Sequence, residues 1–68
     1  MSKLTVNDVV PGLRLEQPPG NIWKVARLIN FPGEKIMHVQ VVNERDPSRV
    51  KTVSMNAVLD SSLFRRIG

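Results

Sequence analysis

The chain has no cysteine and no tyrosine, a single histidine, and only one tryptophan and two phenylalanines to supply aromatic bulk. Without cysteine there are no disulfides and no thiolate metal sites, and His38 alone cannot build a zinc site without several carboxylate co-ligands. No metal and no cofactor are therefore expected. Long apolar runs are missing too. The opening "MSKLTVNDVV" carries one lysine but no extended apolar stretch, and no window approaches the roughly 20 apolar residues that span a bilayer. The expectation is a soluble, untargeted protein with no membrane partner, and the absence of cysteine fits a cytoplasmic location. Acidic residues are scarce: six against ten Lys and Arg give a formal charge of +4 and a pI near 10.4. That balance favours a polyanionic partner. The cations are scattered, apart from Arg65-Arg66 and the looser group Arg45, Arg49 and Lys51.

At 68 residues the sequence reads as one domain, 1–68. A domain of this size hides only about 60% of the surface that its unfolded chain exposes, so stability is marginal without a disulfide, a metal or oligomerisation. With the first two removed, a homo-oligomer is the remaining device.

What the sequence does supply is turn chemistry at regular intervals: "VPGL" (10–13), "PPGN" (18–21), "FPGE" (31–34) and "RDPS" (45–48). Proline presets φ at the first central position of a turn, and the glycine after it accepts the positive φ of a type II turn. Asp-Pro-Ser suits type I. Between the turns lie short runs rich in Val, Ile and Leu, the pattern of an all-β barrel or sandwich. Leu13 and Leu15 share one face, opposite Arg14 and Glu16; Met37, Val39 and Val41 share another, opposite His38 and Gln40. In "VKTVSM" Lys51 aligns with Val53 and Met55, an imperfect alternation that a bulge near Val50 would reconcile. "WKVARLI" is ambiguous. Trp23, Val25, Arg27 and Ile29 have one parity and Lys24, Ala26 and Leu28 the other, so either a bulge switches parity or both faces are partly covered. Ala57, Val58 and Leu59 form at most a helical turn, capped by Ser54 or Asn56, and Phe64 to Ile67 reads as a short closing strand.

Five short strands with a helical turn before the last resemble an SH3-like small barrel. The resemblance is carried by "VNDVVPGLRL" (6–15), a polar turn ahead of a Val-rich strand, and by "VSMNAVLDSSLFRRI" (53–67), a strand, a 3₁₀ turn and a final strand. It implies a five-stranded antiparallel barrel and, because such folds host unrelated activities, nothing specific about function. Barrels that read methylated side chains use cages of three or four aromatics; with Trp23, Phe31 and Phe64 alone and no tyrosine, no cage is expected. "VQVV" (39–42) is partly similar to the Val-Gln-Ile-Tyr pore strand of the plasmid-borne type II dihydrofolate reductases, but it sits one strand too early and lacks the tyrosine.

Catalytic signatures are equally thin. His38 lies mid-strand among apolar neighbours, with nothing in the sequence pairing it to Ser54, Ser61 or Ser62 as a nucleophile's base. The carboxylates Asp8, Glu16, Glu34, Glu44, Asp46 and Asp60 fall in or beside turns and read as caps and solvated charges rather than an acid/base pair. Four isolated glycines without a long helix make no phosphate-cradling loop. The expectation is a protein that is not an enzyme.

Binding remains, in two forms. A non-catalytic basic module can lay a strand face along the phosphates of a nucleic acid, with an aromatic stacked on a base. The candidate residues for this are Trp23, Lys24 and Arg27, joined by Arg49 and Lys51 on a neighbouring strand. Against that, a chain with three aromatics can hardly spare its tryptophan from the core. The alternative is a protein-interaction or assembly module that self-associates through exposed apolar residues, with Leu28, Ile36, Val42 and Val50 on the parity opposite the core of their strands.

Overall fold

The computed structural model describes residues 4–67. Its strands are β1 (Arg14–Gln17), β2 (Asn21–Ile29), β3 (His38–Asn43), β4 (Val50–Ser54) and β5 (Arg65–Ile67). A 3₁₀ turn (Val6–Asp8) precedes β1, and one helical turn, α1 (Met55–Val58), separates β4 from β5. All strand pairings are antiparallel, in one five-stranded sheet of order β4-β3-β2-β1-β5. None of the described helices is long and apolar enough to cross a membrane.

The turns form where proline and glycine sit. Val10–Leu13 and Phe31–Glu34 are each closed by a backbone bond of 3.1 Å, with Gly12 at φ +98° and Gly33 at φ +81°, where a side chain would be strained. The turn after β1 departs from the expected type II form. It closes between Gln17 and Gly20 around a cis Pro18–Pro19 bond. At the β3–β4 turn the buried Asn43 side chain accepts hydrogen bonds from the backbone N–H groups of Arg45 (2.9 Å) and Asp46 (3.1 Å). Ser54 caps α1 by accepting from the Ala57 N–H at 3.1 Å.

One face of the sheet, here the inner face, carries the core. Leu15 of β1, Trp23 and Val25 of β2, and Val39 and Val41 of β3 are buried there. Val9, Met55, Val58 and Phe64, from the segments before β1 and after β4, close over it. The alternation read in β3 is present, with Val39, Val41 and Asn43 buried and His38, Gln40 and Val42 half-exposed on the outer face.

In β2 the parity problem is resolved by a bulge. Val25 pairs with Val41 and Arg27 with Gln40, so Ala26 is the extra residue. The switch sends Arg27 outward and brings Leu28 opposite Val39, at the margin of the inner face. In β4 the expected bulge near Val50 is absent: register runs unbroken from Val50 opposite Val42 to Ser54 opposite His38. Lys51 therefore does lie on the inner face, level with Val41. Its long aliphatic stem makes that placement tolerable.

Three carboxylates lock turns. The Asp8 side chain accepts from the Thr5 N–H and hydroxyl, Asp46 from those of Ser48, and Asp60 from those of Ser62. These bonds favour the ionised form and hold each carboxyl below its ordinary range. Depressed carboxyl groups contribute stability that is complete above their unfolded pKa and is lost as pH falls through the folded one. Thermal melts should therefore give a Tm that is steady near neutrality and drops below about pH 4. Asp60→Asn, which keeps an acceptor but not the titrating proton, should shrink that drop, and a Tm indifferent to acid would contradict the assignment.

Candidate binding surfaces on the two faces of the sheet

The five residues singled out in the sequence do not converge. Trp23 is 3% exposed and belongs to the core, so its ring is not free to stack on a base. The physical reason is the one that competed from the start: in a chain this poor in aromatics, the largest apolar side chain fills the inner face. Lys24 and Arg27 lie on the outer face, while Arg49 and Lys51 lie against the tryptophan at one end of the inner face.

On the outer face, Lys24 pairs across the ladder with Arg14 of β1 on one side and Val42 of β3 on the other. Two like charges directly opposite each other repel, and Glu44 relieves this. Its carboxylate accepts from Arg14 Nε at 2.5 Å and from Arg14 Nη2 at 3.0 Å, a two-point pairing. The bond to Arg14, with smaller help from the Arg14 and Lys24 charges, holds the Glu44 carboxyl below its usual range. Arg27 Nε donates to Gln40 Oε1 at 3.1 Å, and both side chains remain reachable from solvent. The ion pairs among the described residues are Arg14–Glu44 and Arg66–Asp8. Lys24 and Arg27 thus have no carboxylate within ion-pair distance among the described residues.

Phe31, which no sequence pattern assigns to a surface, lies beside this face. It is 41% exposed and meets the His38 ring edge-on, with centroids 4.9 Å apart and planes at 75°. His38 faces outward next to Ile29, one step along that face of β3 from the Gln40–Arg27 pair. The lone signal in sequence is negative, in that Phe31 sits in a Pro-Gly turn, where a ring has no strand to bury it.

At the inner end, Lys51 Nζ stands 4.3 Å from the centroid of the Trp23 ring and 5.7 Å from that of Phe64. Gln17 Oε1 fixes the arrangement, accepting from Trp23 Nε1 at 3.1 Å and from Lys51 Nζ at 3.0 Å. The Arg49 guanidinium carbon lies 5.7 Å from the same indole. Burial, and then the neighbouring Arg49 charge, push the Lys51 amine below its ordinary value. Such ring contacts return roughly 0.5–2 kcal/mol against that desolvation. Gln17 is not among the residues expected from sequence. Its role depends on β1 ending opposite Asn21, just beyond the row that pairs Leu15 with Trp23, and no local pattern announces that.

Among the described residues no three His, Asp or Glu side chains gather as a metal site. The chemistry on both faces is that of fixed cations and one open ring.

Two substitutions separate the parts of the inner end. Trp23→Ala should cost about 3–5 kcal/mol and leave the chain largely unfolded. Lys51→Met keeps an apolar stem over the indole and discards a half-buried charge, so stability should move by less than about 1.5 kcal/mol in denaturant melts. A Trp23→Ala chain that melts like the parent would remove the tryptophan from the core.

No protein-family model, curated protein or solved structure matches this chain.

Proposed function

We propose that the chain is a non-catalytic basic module that binds nucleic acid through electrostatics, holding phosphates along the outer face of its sheet. The observation that carries this is the bulge in β2, which turns Arg27 onto the same face as Lys24 and Arg14. Arg14 is already engaged by Glu44, whereas its neighbours Lys24 and Arg27 have no such partner and can give up water to a phosphate at lower cost. Gln40, Thr52 and Ser54 continue the face with neutral polar groups that can donate to phosphate oxygens. The aromatic part of the reading passes from Trp23 to Phe31, whose open ring is available to a base of a single strand. An SH3-like barrel is the architecture inferred with it. The strand order and the helical turn between β4 and β5 are compatible with that fold.

The test is fluorescence anisotropy of a labelled single-stranded oligonucleotide across a salt series. Binding should weaken as salt rises, and Lys24→Ala with Arg27→Ala should flatten the slope by about 0.7 for each phosphate that the variant no longer neutralises. The fold should survive, because exposed charges contribute little to stability. Absence of any salt-sensitive affinity at low ionic strength would defeat the proposal.

A second reading, self-association, is favoured by one feature. Among the described residues β4 is an edge strand of the sheet with no strand paired on its far side, and Val50 on it is 49% exposed. Sedimentation should then show a dimer at high micromolar concentration that Val50→Lys disperses; a monomer throughout would set this reading aside.

A further inference from the structure

We propose that Arg49 and Lys51, at the rim of Trp23, form a phosphate-group site separate from the outer face. The two residues are next-but-one neighbours around the start of β4, and both lie over one indole. Two cations gathered on a single ring repel each other, and neither has a carboxylate within ion-pair distance among the described residues. Asp46 feels the Arg49 charge only weakly, its carboxylate being taken up by Ser48. Two cations so placed suit an anionic ligand.

The donors are suited to a tetrahedral oxyanion. Gln17 uses one N–H of the Lys51 ammonium, and an ammonium has three, so two remain. Arg49 is exposed and its guanidinium makes no side-chain hydrogen bond among the described residues, so its fork is free to take two oxygens at once. Trp23 and Phe64 wall the ammonium on the core side, which lowers the local dielectric and strengthens any charge-assisted bond formed there. An anion bound here would relieve both the repulsion between the cations and the cost of keeping Lys51 half-buried. The same corner also shuns a cationic or neutral ligand, which would leave the lysine's desolvation uncompensated.

Phosphate chemistry is shared by free inorganic phosphate and by the backbone or end of a polynucleotide, and Trp23 reports on both. Titrating the full chain with inorganic phosphate, and separately with an unlabelled oligothymidine, should change the tryptophan fluorescence saturably, because the ammonium over the indole shifts as it is drawn to an oxygen. Chloride at matched ionic strength should not. Arg49→Ala, at an exposed position, should weaken the effect about tenfold without altering the melt, and Lys51→Met should abolish it. A response to both ligands assigns the site to the phosphate group itself; a response to the oligonucleotide alone, lost in Arg49→Ala, assigns it to polynucleotide phosphate. A response reproduced by chloride, or untouched in Arg49→Ala, overturns the site, as does no response to either ligand. The Lys24→Ala, Arg27→Ala double variant keeps the two faces distinguishable. It should lose the oligonucleotide affinity that belongs to the outer face while retaining the response to inorganic phosphate.

Discussion

Burial of Trp23 is the constraint on which the other features rest. With one tryptophan and two phenylalanines, the chain places its largest side chain at the end of the inner face between β1 and β3. Once it is there, its indole N–H needs an acceptor, and Gln17 at the end of β1 supplies one. The ring face left toward β4 needs a cover, and the lysine of that strand lies across it. The lysine's charge then needs its own partner, found in the same glutamine oxygen. Each polar group at this end is thus answered by the next, and the chain of answers starts from a shortage of aromatics.

Much of the fold is legible in the sequence because it depends on short-range rules. Proline and glycine set the turns, Val39 and Val41 alternate cleanly with His38 and Gln40, and Ser54 caps a single helical turn before the last strand. The departures come from treating parity as inviolable. A lysine aligned with Val53 and Met55 reads as a fault in the alternation of β4 and invites a bulge near Val50; the strand is regular and the lysine is inside. The bulge is in β2, where the sequence leaves two explanations open. Without Ala26, the run Trp23, Lys24, Val25, Arg27, Leu28, Ile29 alternates inward and outward with no fault.

The candidate surfaces are less legible for a different reason. Charges carry no periodicity that the core enforces, so Lys24, Arg27, Arg49 and Lys51, which the sequence suggests as one surface, are divided by the sheet in space. The pairing of Arg14 with Glu44 joins residues thirty positions apart, which no local pattern could reveal. Its effect is to sort Arg14, Lys24 and Arg27 on the outer face into one that is neutralised and two that are not.

The bulge at Ala26 has a further consequence, for shape. The extra residue absorbs the shift in parity, so that Val25 stays inward and Arg27 faces outward. What it adds is curvature: a bulge bends its strand and increases the local twist, and this one sits in β2, the middle strand of the sheet.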